Sequence, residues 1–286
     1  MALFFKDPSY DPGRRMTGFN RYRQLLSLYG LSWIKVNMLT CLGALPLALG
    51  ITLSIMYSSS LMTMGCSVVG GLIFGPFLAA LTDSVMRGLR DAPGTWWANY
   101  KKAWKQNAAS ALLPGAVTGL LLGMYAFMIY VMWSSQVSVG WGTIALYLFA
   151  ALLAVVLSVL YWPQLVLFRQ KNSVRVRNAV LLMIRHFWRV MGIGVVCLLY
   201  LTLYLLLAPW SLVLVPFVGL WFMVFMAEYH LYPQLDEALE INKRYYALEG
   251  DPWEEAEREA EEEAHEEMIR SGYGFMDMIG GKKDEQ

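Results

Sequence analysis

Six long apolar runs dominate the chain, near residues 31–57, 61–86, 109–133, 140–168, 190–208 and 211–229. A helix needs about 20 apolar residues to cross roughly 30 Å of hydrocarbon, and each run approaches or exceeds that length. None alternates with period two. In lipid only helices and closed barrels satisfy their own backbone, so unbroken runs of this length mean helices. The pattern predicts an all-α fold: a polytopic membrane bundle of six transmembrane helices.

The polar residues add an orientation. The connections Ser58–Ser60, Ser134–Gly140 and Ala208–Trp210 contain no Lys, Arg, Asp or Glu. The 23 basic and 22 acidic side chains lie in the N-terminal segment, the two other connections, the helix ends beside them, or the tail. Lys and Arg near span ends hold a segment in the cytoplasm, so both termini are expected on the cytoplasmic side. The first apolar run is too long for the core of a cleavable signal and is expected to stay as a membrane helix. Three regions follow: a basic segment over 1–30, a six-helix domain over 31–229, and an acidic cytoplasmic tail with one helix over 230–286.

The formal net charge of +1 averages two unlike parts. Residues 1–227 hold 17 Lys/Arg against four Asp/Glu, and the remainder holds six against 18. The expected partner of the basic body is a bilayer with an anionic inner leaflet, where each surface Lys or Arg contributes about 1 kcal/mol. These charges do not require a nucleic-acid partner. In the tail, Asp251 and Pro252 start a glutamate-rich helix that is either solvated or docked on something basic.

Three segments have amphipathic character. Phe19, Tyr22, Leu25, Leu26 and Tyr29 recur near helical spacing among arginines, as an interfacial helix or a flanking anchor would. Trp96, Trp97, Tyr100 and Trp104 share a helical face flanked by Lys101, Lys102 and Lys105. In the third, Asn172 or Ser173 is a candidate cap. Val176, Val180, Leu181, Ile184, Phe187 and Trp188 make its apolar face, and Arg175, Arg177, Arg185 and Arg189 its charge. The last two segments each lie between an inward and an outward span, so 76–125 and 163–210 could form a parallel repeat. Trp96, Trp97, Lys101, Trp104, Arg185 and Trp188 are the candidates for a partner-binding or membrane-binding surface.

Chemistry is sparse. Asn37, Asp83, Gln164 and Glu228 are the polar side chains near or within the spans that could line a solute path. Intramembrane acids are functional candidates by default. Asp83 and Arg87 are four apart, however, which also suits a structural pair. Glu228 is expected near the inner end of the sixth span. Gly71, Gly75 and Ala79 repeat at four-residue spacing, which lets helices approach closely. Cys41, Cys66 and Cys197 lie in apolar spans with no CxxC spacing, and His186, His230 and His265 lack metal-ligand spacing, so no metal or cofactor is expected. The chain has no GxxxxGK[ST], GxSxG or HExxH, and no catalytic residue is assigned.

Several stretches carry a family likeness. They are Asn37 with Pro46, Gly75-Pro76-Phe77-Leu78-Ala79-Ala80-Leu81, the loop through Arg87 and Arg90, Lys101-Lys102-Ala103-Trp104-Lys105-Gln106-Asn107, and Arg175-x-Arg177-Asn178-Ala179 leading to Arg185-His186-Phe187-Trp188-Arg189. Across about residues 30–235 the chain resembles the YesL family of bacterial membrane proteins. The resemblance implies a bacterial plasma-membrane protein with no settled biochemical activity, and the missing motifs make a non-enzymatic role the expectation. It also implies an accessory role beside carbohydrate ABC importers, whose permease subunits would be its partners. It carries over no catalytic residues. A self-contained small-solute transporter or channel, and a regulator working through the acidic tail, are the competing expectations.

Overall fold

The computed structural model describes residues 17–92, 94–134, 140–207 and 210–249, and every regular element among them is an α-helix. In chain order these are α1 (Gly18–Met56), α2 (Ser60–Leu89), α3 (Trp96–Ser134), α4 (Trp141–Leu167), α5 (Asn172–Arg185), α6 (Phe187–Leu206), α7 (Ser211–Val218), α8 (Leu220–Leu239) and α9 (Ile241–Glu249). Six stretches are long and apolar enough to cross a membrane: α1, α2, α3, α4, α6 and the run Val213–Leu239. Leu42, Leu49, Leu113, Leu146, Leu199 and Val213 are among the many large apolar side chains left exposed on these helices. A surface this apolar suits lipid and not water. The protein is therefore an integral, multi-pass membrane protein.

The chain forms two compact units. One comprises Leu28–Ile241; the other joins residues up to Ser27 with those from Asn242 onward. In the smaller unit, Arg21 Nη1 donates to Gln24 Oε1 at 2.8 Å, and the rings of Phe19 and Tyr22 stack 6.2 Å apart. The acidic stretch with the helix expected from Asp251, and Arg14 and Arg15, lie outside the described residues.

Backbone continuity bears on three of the sequence expectations. Of the two readings left open for the aromatic stretch from Phe19, a separate helix is not found: the stretch is the start of α1. The Trp96–Trp104 segment is likewise the first part of α3. At 1.5 Å per residue, the 39 residues of α3 span about 58 Å, nearly twice a hydrocarbon core. The sixth span, in turn, breaks at Gly219 into α7 and α8, and α8 continues past Glu228 to Leu239. Leu231 and Leu235 keep the later turns of α8 buried. These differences also separate the two expected repeat units: the chain bends at His186 between α5 and α6, whereas α3 runs unbroken.

Within Leu28–Ile241, α2 is the central helix, packed on α1, α3, α4 and α8. Its seam with α3 is built from glycine. A Cβ at Gly75 would lie 2.8 Å from Gly115 Cα, and one at Gly119 would lie 2.6 Å from Gly71 Cα. The small-residue spacing in α2 thus meets a matching spacing, Gly115 and Gly119, in α3. Close backbone approach of this kind replaces the hydrophobic drive that lipid cannot supply. On the α1 side, Trp33 occupies the space left at Gly88, donates to Ser84 O at 3.1 Å, and packs against Trp221 and Phe225.

Candidate functional site

The charged end of the bundle presents the aromatic and basic candidates on its surface. Trp97, Trp104 and Trp188 are exposed, Trp188 at 85 %. Lys101 Nζ stands 5.3 Å from the Trp97 ring centroid, and Lys35 Nζ stands 5.4 Å from that of Trp96. These cation–π contacts hold the rings and ammonium groups as one face. Lys35 has no place in the sequence expectation; its position at the start of the first apolar run is the available signal. Trp104 meets Phe77 edge-on at 6.2 Å. Arg185 pairs with Glu237, both largely exposed, a contact of small energetic consequence.

Helix α5 turns its apolar face outward. Val176, Leu181 and Ile184 are exposed, while Arg175, Ala179 and Leu182 are buried. Arg175 therefore does not belong to an exposed charged face. Its guanidinium donates to Asn172 Oδ1 at 2.8 Å and to Phe168 O at 3.1 Å, bracing the turn between α4 and α5. Asn172 does not cap α5: Lys171 stands at that position, and Asn172 Oδ1 also accepts from Tyr161 Oη at 3.0 Å. At the opposite, uncharged connections, Trp133, Trp141 and Trp210 are all strongly exposed. Tryptophan at both ends of a bundle is the distribution that headgroup depth favours.

The four interior candidates do not form a path. Asn37 is fully buried, and its amide repairs the break at Gly219. Nδ2 donates to Val215 O and Pro216 O, both at 2.8 Å, while Oδ1 accepts from Trp221 N at 3.1 Å. A helix break leaves backbone groups without partners, and in lipid these must be satisfied within the protein. Tyr200 Oη serves the same break, donating to Val218 O and to Gly219 O. Asp83 pairs with Arg87 at 2.7 Å, as their spacing allows. It lies six residues before the end of α2, about 9 Å along the axis. Gln164 is fully buried, and its Nε2 donates back to Leu160 O at 2.8 Å.

Glu228, like Gln164 with its unpartnered Oε1, keeps a buried oxygen without a hydrogen bond, but of the four it alone lines a cavity. It is only 2 % exposed, and its Oε2 has no hydrogen-bond partner. Because α8 runs on to Leu239, Glu228 lies in the interior of the helix and not at its end, about 16 Å along the axis from Leu239. It lines a cavity of about 250 Å³ bounded by α2, α3, α4, α6 and α8. Phe74, Tyr125, Tyr147 and Trp162 supply aromatic walls, and Ala150 and Ala154 leave room on α4. Among the described residues that line it, Glu228 is the only Asp, Glu, Lys or Arg. None of Asn37, Asp83 and Gln164 reaches this space. The aromatic residues of the cavity do not stand out in sequence because their spacing matches that of any buried helix face.

Among the described residues, no group of three His, Cys, Asp or Glu side chains is arranged to hold a metal ion. Comparison with protein-family models, curated proteins and solved structures finds no match to this chain.

Proposed function

We propose that this protein is a non-enzymatic accessory or scaffold subunit of a bacterial carbohydrate ABC importer, seated in the plasma membrane with both ends in the cytoplasm. The observation that carries the reading is how the interior polar groups are used. Asn37 and Asp83 are taken up by contacts inside the protein, Gln164 donates to its own helix while its buried Oε1 has no partner, and none of the three lies on a shared polar route. A sugar path would need a chain of donors and acceptors facing water. The glycine seam and the aromatic core around Trp33 supply none, which argues against a self-contained carrier of hydrophilic solutes.

The surface supports a docking role. The Trp96–Trp97–Lys101–Trp104 face and the exposed Trp188 and Arg185 gather rings and cations at the charged end. Such a face suits the headgroup layer and the cytoplasmic rim of a permease subunit. The outward apolar side of α5 suits a helix lying at the inner interface. The carbohydrate assignment and the choice of an importer come from the resemblance to the YesL family. The regulatory reading rests on the acidic tail beyond the described residues, and no feature of the described residues favours it.

The test is a mild-detergent capture from the native host, followed by mass spectrometry. Recovery of a sugar ABC permease in near-equal amount is the expected result. Trp104→Ala with Trp188→Ala should reduce that recovery several-fold while leaving the protein's own yield unchanged. Recovery of the protein alone would overturn the proposal.

A further inference from the structure

We infer that the cavity beside Glu228 is a binding site for a small lipophilic amine, with the Glu228 carboxylate as its anchor. Three observations converge. The cavity holds about 250 Å³ within a bundle whose α2–α3 interface is closed to the backbone. Its lining is apolar and aromatic apart from a few hydroxyls, and its one acid, Glu228, is only 2 % exposed. No side chain among the described residues is paired with that group. Oε2 is unpartnered, and among the described residues no Lys or Arg forms an ion pair with Glu228.

A buried carboxyl group without partners is costly, by about 1–3 kcal/mol even as a simple unmade hydrogen bond. Buried groups left in that state need an explanation, and a missing ligand is one. Thr82 shares the cavity wall but brings no free donor, because its hydroxyl already donates to Leu78 O at 3.0 Å. An ammonium group would bring both the opposite charge and the donors that the carboxylate lacks. The rings of Phe74, Tyr125, Tyr147 and Trp162 would receive the apolar body, and an aromatic face attracts a cation as well. Size follows from volume: an apolar cavity of about 150 Å³ takes one benzene, so this one takes roughly ten non-hydrogen atoms. A neutral sugar fits neither the walls nor the single anchor.

The experiment uses the full chain in phosphatidylcholine nanodiscs, with empty nanodiscs subtracted. Tritiated 1-aminoadamantane is the probe, and 1-adamantanol is its neutral counterpart of similar size. Saturable amine binding, at least tenfold tighter than that of the alcohol, is the expected result. Glu228→Gln should weaken amine binding tenfold or more and leave the alcohol unchanged, and Ala154→Phe should block both. Equal affinity for amine and alcohol would overturn the inference without recourse to any variant. So would amine binding no greater than that of empty nanodiscs, or an amine affinity that Glu228→Gln leaves intact.

Discussion

Between α2 and α3 the backbones approach until Gly75 and Gly115 leave no room for a methyl group, while on the other side α2 and α3, together with α4, α6 and α8, line a space of about 250 Å³ beside Glu228. Both regions are lined by small residues. In the seam these are glycines facing glycines, so the space is closed by main chain. In the cavity they are alanines on α4, which line the space together with the rings of Phe74 on α2 and Tyr125 on α3, and the space stays open. Small residues, then, do not by themselves bring helices together; what matters is whether the facing helix is small at the same height. The chain packs tightly where its small residues are matched across the interface.

The largest expected effect comes from enlarging the seam. In Gly115→Leu the new Cβ would lie 2.6 Å from Gly75 Cα, and the rest of the side chain has nowhere to go. Overpacking commonly costs about 1–3 kcal/mol, and here backbone and not a flexible side chain must yield, so the cost should reach or exceed the top of that range. The check is the midpoint of thermal aggregation and the monodisperse fraction after extraction. A variant as stable as the parent would show that α2 and α3 do not meet as described.

A smaller effect is expected at Asn37, which lies outside both regions but holds the sixth span in place. Asn37→Leu keeps the volume and removes the amide. Pro216 O and Trp221 N then lose their partner, whereas Val215 O still accepts from Gly219 N at 2.9 Å. Each buried group left unsatisfied costs about 1–3 kcal/mol, and interhelical bonds in membranes fall toward the low end, so a total of about 2 kcal/mol is expected. Unfolding in mixed micelles measures it. No loss of stability would mean that Asn37 is free for another role, including the solute path.

How much of this is legible in sequence depends on the kind of information each feature needs. The six spans are legible because hydropathy is a property of composition, and the break at Gly219 does not hide the sixth. The seam is legible on both sides as spacing, with Gly71, Gly75 and Ala79 on α2 and Ala111, Gly115, Gly119 and Gly123 on α3, but nothing in the sequence says that the two stripes face each other. The role of Asn37 is not legible, because its partners are backbone groups 178 to 184 residues away, freed by a break that only Pro216 and Gly219 hint at. Hydropathy also reports depth and not backbone continuity. It therefore separates Trp96–Trp104 from the helix it begins, and it ends the sixth span at Glu228, where α8 in fact continues. That one difference moves the acid from a helix end to the interior, beside the cavity.

The smallest expected effect is also the most discriminating. Ala154→Phe adds a ring on the open side, as Gly115→Leu adds a branched chain on the closed side. Here the ring has a space of about 250 Å³ to enter, lined by Phe74, Tyr125 and Trp162. Filling an existing cavity commonly adds about 0.5–2 kcal/mol, but a ring at this site would also shut Glu228 away from any partner, which opposes that gain. The net change should stay within about 1 kcal/mol of the parent, by the same unfolding measurement. A loss as large as that of Gly115→Leu would mean that the two regions are packed alike and that the cavity is not open in the membrane. Stability near the parent value, with the seam variant collapsed, would establish that the same kind of enlargement is tolerated beside the cavity and not in the seam.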